Sequence, residues 1–332
     1  MRRAVAAAGL AALALLPWLP LGGAHLYYLH VLILIFTWAF VNTAWSLMGR
    51  FGLVSLGHGA FIGIGAYSAV LLWNFWRISP LIGGVVGVAG AAIVAVVIGY
   101  PCFRYRVVGH YFALVTLAVG EVVRLLIIAE RDWTGGSLGV TLKDAAKDAG
   151  GFSLAALQFA DKRVFYYIAL AVWLGGLAVW RRVDRSMARS AMEAIGEDET
   201  AAACVGIPVT RFKLRITVLS AALCAVGGIL YGQYVTYLNP ETLAGIGVSL
   251  QVVFAAVLGG MYSLLGPTVG TAITIALAEY LRVAFGVKLL GMAETIYGLA
   301  LILIIIFLPE GLYGTLRVLA IRRRATATAP GR

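Results

Sequence analysis

The feature that most constrains this chain is the run from Thr242 to Ala278, which contains no Asp, Glu, Lys or Arg. The run is much longer than one membrane span, which needs about 20 apolar residues. Gly259-Gly260 and Gly266-Pro267 interrupt it, and helices break most readily at Gly and Pro. The run therefore predicts two membrane-spanning helices joined by a tight turn.

The same apolar character extends through the whole chain. Of 332 residues, 61% are hydrophobic and 12% charged, with a mean hydropathy of +0.93, whereas about a quarter of a soluble domain is charged. This balance excludes a soluble globular enzyme, a disordered chain and a disulfide-stapled secreted domain. It predicts an all-α, polytopic membrane protein with about ten spans, near 4–21, 26–48, 52–75, 80–100, 110–129, 164–180, 214–236, 247–264, 267–285 and 290–308.

The net charge of +11 would suggest nucleic-acid binding in a soluble protein. In a membrane protein, however, Lys and Arg accumulate in cytoplasmic loops. If both termini are cytoplasmic, 17 of the 26 Lys and Arg residues lie inside, 8 lie outside, and Arg124 lies within a span. We therefore interpret the positive charge as an orientation signal, with residues 318–332 forming a cytoplasmic tail.

Residues 1–24 leave two interpretations open. Arg2-Arg3 precede an Ala- and Leu-rich segment that ends near Pro20, a pattern typical of a signal peptide and also of a short first transmembrane helix. We favour the helix. The orientation of the following spans is the same in both cases.

The sequence lacks the motifs of a self-sufficient pump or enzyme. It contains no GxxxxGK[ST] phosphate loop, no HExxH zinc motif and no GxSxG nucleophile motif. Cys102, Cys204 and Cys224 are too scattered for a disulfide framework or a CxxC metal site. We expect neither catalytic residues nor a cofactor or metal in this chain, and a membrane enzyme is disfavoured.

Ionisable residues inside the predicted spans are few. Glu121 and Arg124 are three residues apart, as are Glu279 and Arg282, which puts each pair on one helix face. We interpret both as self-neutralising pairs near the outer ends of their spans rather than as substrate contacts. Glu294 is the remaining acid. A proton-driven carrier requires unpaired acids near the bilayer midplane, and the pattern does not favour one.

Two hydrophilic segments connect the spans, an outer loop at 130–163 and an inner loop at 181–213. The inner loop predicts two short helices split near Gly196, with acidic residues at the positive N-terminus of the second. Gly206 and Pro208 end the second helix. A helix with a small-residue face is suited to docking in a groove of a cytosolic partner; the alternative is an ordinary solvated loop.

Five segments bring the chain close to a known family. They are SLGHGAFIGIGAYSA at 55–69, GHYFALVTLAVGEVVRLL at 109–126, TGGSLGV at 134–140, the segment 194–232, and VLGGMYSLLGPTVGT at 257–271. They resemble the permease subunits of ABC importers for branched-chain amino acids, of the LivM type. The resemblance implies one transmembrane permease domain, 1–332, with a type II importer-like fold in the bacterial inner membrane.

The resemblance also implies partners. These are a homologous second permease subunit in a heterodimer, two cytosolic ATPase subunits that bind ATP and Mg, and a periplasmic solute-binding protein. The helix around 194–207 would be a coupling helix seated in an ATPase cleft. The coupling residues that we expect are Glu193, Glu197, Glu199, Ala202, Gly206 and Ile207.

The resemblance further implies a substrate path along spans three, five and eight. A zwitterionic amino acid does not require a fixed charge in such a path. The path residues that we expect are Ser55, His58, Tyr111, Thr116, Gly259 and Ser263, although a lone intramembrane His is more often a packing group than a proton relay. The contacts that we expect with the binding protein are Trp133, Thr134, Gly135, Gly136 and Ser137.

The substrate class stays open at this point. Branched-chain or other hydrophobic amino acids fit the resemblance best, and urea, short amides or aromatic acids are alternatives within the same class of importer. A stand-alone secondary transporter is a different class of function. It predicts uptake by this chain alone, driven by an ion gradient.

Overall fold

A computed structural model describes residues 2–18, 25–143, 152–153 and 155–285, together with positions 295, 296, 298, 299 and 311. The described part is built almost entirely of helices. The helices are α1 (Arg2–Leu15), α2 (His25–Gly49), α3 (His58–Trp76), α4 (Pro80–Arg104), α5 (His110–Ala129), α6 (Arg131–Thr134), α7 (Lys162–Asp184), α8 (Met187–Glu197), α9 (Glu199–Cys204), α10 (Val209–Val235), α11 (Pro240–Ala244), α12 (Ile246–Gly259) and α13 (Gly266–Phe285).

Within the described residues, seven segments are long and apolar enough to cross a membrane: α2, α3, α4, α5, α7, α10 and the combined α11–α12 segment. They correspond to seven predicted spans and agree with a helical, multi-pass membrane protein. The predicted span at 4–21 corresponds to α1 and a following 3₁₀ turn. The span predicted at 267–285 corresponds to α13, which is not among the seven.

Three further sequence predictions fall largely or wholly outside the described residues. They are the tenth span at 290–308, Glu294 and the tail at 318–332. The total of ten spans therefore stays a prediction.

Two helix boundaries differ from the sequence prediction. Helix α3 begins at His58 instead of residue 52, because the preceding segment lies against α5: a Cβ on Gly57 would lie 2.2 Å from the carbonyl oxygen of Thr116. Helix α12 ends at Gly259 rather than at 264, since Gly260 adopts φ 102°, a conformation that glycine tolerates far better than other residues. The turn thus lies at the glycine pair that the sequence singles out.

The inner connection also contains more helix than expected. Helix α7 continues to Asp184, and α10 begins at Val209, immediately after Pro208. Non-helical backbone in the predicted 181–213 loop is therefore confined to short joints around α8 and α9.

Helices α3 and α10 cross in direct backbone contact. A Cβ on Gly228 would lie 2.1 Å from the carbonyl oxygen of Ile62, and one on Gly65 would lie 2.2 Å from that of Ala225. Such close backbone approach is typical of small residues between membrane helices. Buried side chains of α2, including Trp45, pack around this crossing. These contacts fix the positions of the polar groups on α2, α3 and α10.

One end of the bundle, called the outer end after the predicted outer loop that it carries, has a short antiparallel ribbon. Strand β1 (Val140–Thr141) pairs with β4 (Tyr237–Leu238), which joins the outer loop to the connection after α10. Strands β2 (Phe152–Ser153) and β3 (Gln158–Phe159) form a hairpin. The predicted outer loop at 130–163 therefore contains α6 and three strands of its own.

Candidate functional site

A hydrogen-bonded cluster around His58 joins three helices near the start of α3. Ser220 Oγ on α10 donates to the carbonyl oxygen of Ala44 on α2 at 2.8 Å. A hydroxyl has one proton, so Ser220 accepts from Nε2 of His58 at 3.0 Å. Nδ1 of the neutral imidazole then accepts from Ser55 Oγ at 3.1 Å. The arrangement satisfies both ring nitrogens within the protein.

Two further contacts extend the cluster. Trp45 Nε1 on α2 donates to the carbonyl oxygen of Ser55 at 2.9 Å. Thr116 Oγ1 on α5 accepts from the backbone N–H of Leu56 at 3.0 Å and donates to the carbonyl oxygen of Ala113 at 2.9 Å. The non-helical segment before α3 is thus bonded to α2 and α5.

The structure brings three of the six expected path residues together in this cluster: Ser55, His58 and Thr116. Ser55 and Thr116 line a cavity of about 20 Å³, which has room for one water molecule but not for an amino acid. Tyr111 is exposed at the start of α5. The cluster is therefore closed in this conformation.

The other two expected path residues belong to the turn between α12 and α13. A Cβ on Gly259 would lie 1.8 Å from the carbonyl oxygen of Gly266. The backbones of these two glycines are therefore in direct contact. Ser263 Oγ donates to the carbonyl oxygen of Gly260 at 3.1 Å. Among the described hydrogen bonds, none joins either residue to the His58 cluster.

Both charge pairs that the sequence predicts within the spans form in the structure. Arg124 Nε donates to the two carboxylate oxygens of Glu121 at 3.0 and 2.9 Å, and Arg282 Nη1 lies 2.9 Å from Oε1 of Glu279. Arg124 also pairs with Glu241 on α11. The second carboxylate is a long-range contact that helical spacing does not reveal.

The inner connection folds as two helices, as expected, but the break is at Asp198 and not at Gly196. Gly196 lies within α8, whereas Asp198 is extended (φ −154°) and caps α9. Its Oδ1 accepts from the backbone N–H of Thr200 at 2.7 Å and of Ala201 at 3.0 Å. These two donors hold the pKa of Asp198 below its ordinary value. Gly206 follows α9 with φ 88°.

The α8–α9 segment has one face against the bundle and one face in solvent. Met192, Ile195 and Ala202 are buried against residues such as Trp180 and Phe103. On the opposite side, the described surface of α9 consists of small residues and ends in Val205, which is 79% exposed. An exposed face of small side chains allows close approach of another protein.

The expected coupling residues are divided between these two faces. Glu193, Glu197 and Gly206 are exposed, and Ile207 is half-buried. Ala202 is buried, and Glu199 forms an ion pair with the buried Lys213 of α10. Glu199 and Ala202 therefore hold the segment to the bundle in this conformation.

A chain of charges attaches α8 to the inner ends of α2 and α7. Arg50 Nη1 lies 3.0 Å from Oδ1 of Asp184, and Arg189 lies 3.2 Å from the same carboxylate oxygen. Arg189 Nε also donates to Glu193 at 2.7 Å. The Arg50 guanidinium lies 4.2 Å above the Trp180 ring, where burial lowers its pKa.

The outer turn that was expected to contact a binding protein is compact. Thr134 is buried, with Oγ1 close to the carbonyl oxygens of Ile127 and Glu130 at 2.5 and 2.9 Å. Gly135 and Gly136 both have positive φ, at 75° and 60°. The carbonyl oxygen of Ser137 accepts from Asn239 Nδ2 at 3.3 Å.

Trp133 forms the exposed part of this turn. Its ring is stacked on that of Trp76 at 5.5 Å and lies 4.9 Å from that of Phe75. All three rings are about half exposed. The turn therefore presents an aromatic surface at the outer end of the bundle.

Comparison with known proteins matches these features to a family. Residues 27–308 match the family described as branched-chain amino acid transport system, permease component. The chain belongs to this permease family. The match covers every described membrane-spanning segment except the first two residues of α2.

Named relatives of this permease are bacterial transport proteins. The high-affinity branched-chain amino acid transport system permease protein LivM of Salmonella typhimurium is 30% identical over 80% of this chain and 65% of its own length. LivH of Escherichia coli is 26% identical over 84% of this chain and 91% of its own length. The permease thus spans just under two thirds of the LivM relative. No solved structure matches it.

Sequence reasoning missed several residues that organise these sites in the permease. Ser220 lies 162 positions from His58, and nothing in its surroundings distinguishes it from other small polar residues in spans. Lys213 offered a signal, because a Lys close to an apolar run needs a partner when it is buried. Glu241 follows Pro240 at the start of a helix, where an acid is stabilised by the helix dipole. That local explanation gave no reason to expect Arg124 as its partner.

Proposed function

We propose that this permease is the transmembrane subunit of an ATP-driven ABC importer for branched-chain or other hydrophobic amino acids. The observation that carries the proposal is the α8–α9 segment, in a chain of this family. One face of the segment is held to the bundle by Met192, Ile195 and Ala202, and the other presents small residues to solvent. A cytosolic subunit that binds this outer face can move the bundle through the inner one.

The assembly that we propose contains a second, homologous permease subunit, two ATPase subunits that bind ATP and Mg, and a periplasmic solute-binding protein. Relatives of this chain carry both the LivM and the LivH names, which supports a pair of related permeases. Helix α5 is largely exposed, with Leu114, Leu125 and Leu126 at least half accessible. Such a face suits the second permease or lipid.

The route by which force would reach the membrane helices starts at Glu199. This residue is bonded to Lys213 on α10, and α10 crosses α3 with direct backbone contact at Gly228 and Gly65. We propose that ATP-driven movement of α8–α9 shifts α10 and α3 together. The His58 cluster would open in that movement, since a ligand-driven switch needs different contacts in its two states.

The arrangement in the membrane follows from the same proposal. The chain forms one permease domain in the bacterial inner membrane, with ten spans and both termini cytoplasmic. The outer aromatic surface around Trp133 would then face the binding protein. Residues Thr134 to Ser137 would support that surface through the hydrogen bonds of the turn.

Reconstitution of the whole assembly tests the function. Proteoliposomes containing both permeases and the ATPases should take up radiolabelled leucine only with ATP and the binding protein present. Vesicles without the ATPases are the control. Uptake of urea or aromatic acids, but not of leucine, would contradict the substrate assignment. Uptake by this chain alone along an ion gradient would contradict the importer.

A further inference from the structure

A cavity of about 620 Å³ lies among α2, α10, α11, α12 and α13, and Gly298 also lines it. Its volume is within the range of about 300–1,000 Å³ that is typical of small-molecule sites. The lining positions recur at helical spacing, as with Leu34 and Trp38 on α2 and Glu279 and Arg282 on α13. The cavity is therefore formed by packed helix faces in the outer half of the bundle, the half that carries the β1–β4 ribbon.

One end of the cavity is charged. Arg282 pairs with Glu279 through one guanidinium nitrogen, at 2.9 Å, and 72% of the Arg282 side chain is exposed. Glu241 also lines the cavity, and its carboxylate forms an ion pair with Arg124. The lining thus carries two carboxylates, Glu241 and Glu279, and the guanidinium group of Arg282, while Arg124 is shared between Glu241 and Glu121. A ligand that carries both charges and no net charge would meet a partner for each of them.

Another part of the cavity lining is apolar. Trp38, Phe254 and Ile275 line it, together with the aromatic ring of Tyr231. Ile275 precedes Glu279 by one helical turn, which is a rise of about 6 Å along α13. This separation is close to that between the charged groups and the side-chain end of an aliphatic amino acid.

An amide also lines the cavity. Gln251 lines the cavity on α12, one turn before Phe254, and its side chain makes no hydrogen bond to the part of the chain that the structure describes. The amide can donate to a carboxylate and accept from an ammonium group. It is therefore available to a bound zwitterion.

We propose that this cavity, and not the closed His58 cluster, binds the amino acid on the outer side of the permease. Arg282 and Gln251 hold the carboxylate, Glu279 and Glu241 hold the ammonium group, and the aliphatic side chain packs on Trp38, Phe254 and Ile275. The assignment rests on the proposed function, because it supplies the substrate site of the same importer.

Direct binding to the assembled complex tests this site. The permease–ATPase complex, purified in detergent without the binding protein, is titrated with radiolabelled leucine. We expect Arg282→Ala to weaken binding about 10- to 100-fold, as for loss of a hydrogen bond to a charged group. Arg131 is an exposed arginine outside the cavity lining, and we expect Arg131→Ala to leave leucine binding unchanged. Glu279→Gln, which keeps the shape of the side chain, should also weaken binding.

A comparison of two ligands adds a measurement of specificity, which a folding defect would not change selectively. The wild type should prefer leucine to 3-methylbutylamine, which lacks the carboxylate, and Arg282→Ala should lose that preference. Wild-type affinity in both variants, or no leucine binding by a complex that transports leucine, would overturn the site. A wild-type assembly that transports no amino acid would instead overturn the proposed function, so the two failures are distinct.

Discussion

Lys213, near the start of α10, forms an ion pair with Glu199, the first residue of α9, and the lysine is the more buried partner. Only 5% of the Lys213 side chain is exposed, against 25% for Glu199. The Lys213 ammonium also lies 5.8 Å from the centre of the Phe103 ring on α4. One buried cation therefore joins the α8–α9 segment to two membrane-spanning helices.

Removing the acid from this pair should loosen the segment. In Glu199→Gln the buried Lys213 loses its counter-charge, which should lower the free energy of unfolding by up to about 3 kcal/mol. Thermal unfolding of the detergent-solubilised complex measures the loss. The double variant Glu199→Leu with Lys213→Met should recover part of it, because no charge is left buried.

The exposed pair of Arg189 and Glu193 is the matched control. Both side chains are about half exposed, and exposed ion pairs contribute little to stability. Glu193→Gln should therefore lower the melting temperature less than Glu199→Gln. An equal loss in the two variants would show that burial of Lys213 does not set the strength of its pair.

The cap at Asp198 should make α9 sensitive to acid. Because the folded-state pKa is lowered, the cap contributes its stability above the ordinary pKa of 3.8 and loses it as the pH falls through the folded value. The difference in melting temperature between wild type and Asp198→Ala should be constant from about pH 5 to 8 and shrink below 3.8.

Asp198→Asn separates the cap from its charge. Asn is a good N-cap that does not titrate, so this variant should resemble the wild type at pH 7. Its stability should not show the additional loss in acid. A melting temperature at pH 7 as low as that of the Ala variant would contradict the capping role.

Replacing His58 should destabilise the bundle rather than only change transport. His58→Ala leaves Ser55 and Ser220 without their shared partner, which should cost about 1–3 kcal/mol. Ser220→Ala should lower stability in the same direction, since it removes both the bond to His58 and the bond to Ala44. The exposed His110 is the control, and His110→Ala should change stability by less than about 0.5 kcal/mol.

The crossing of α3 and α10 should not accept a methyl group. Gly228→Ala puts a Cβ 2.1 Å from the carbonyl oxygen of Ile62, and the resulting separation of the helices should cost about 1–3 kcal/mol. Gly175 on α7 has nothing within 4 Å of such a Cβ. Gly175→Ala should therefore stabilise its helix by about 0.5–1 kcal/mol. Melting temperatures that moved in the same direction would contradict the close contact.

The sequence predicted the features that depend on local spacing. Glu121 and Arg124 are paired because they are three residues apart on one helix, and the turn after α12 lies at Gly259-Gly260 because those residues permit it. The start of α3 at His58 was not predictable in this way, since it depends on the approach of Thr116 from another helix. The partners Ser220 and Glu241 depend on the same kind of long-range approach.

Burial and side-chain contacts explain the remaining differences between the sequence prediction and the structure. Glu199 and Ala202 were expected from the family resemblance to contact an ATPase, and only the docking of α9 on the bundle shows that they face inward. The break that was expected near Gly196 lies two residues later, at Asp198, because the side chain of Asp198 caps α9. The outer cavity was missed because the pair of Glu279 and Arg282 at its lining had been interpreted as self-neutralising.

Cross-linking at Cys204 tests most directly whether α8–α9 is the contact with a cytosolic ATPase. Cys204 is exposed at the end of α9, whereas Cys102 and Cys224 are buried. In membranes that contain the whole assembly, a thiol-specific photo-cross-linker on Cys204 should join this chain to an ATPase subunit, and Cys204→Ser should abolish the product. Fully labelled Cys204 that forms no ATPase adduct in transport-competent membranes would contradict the account.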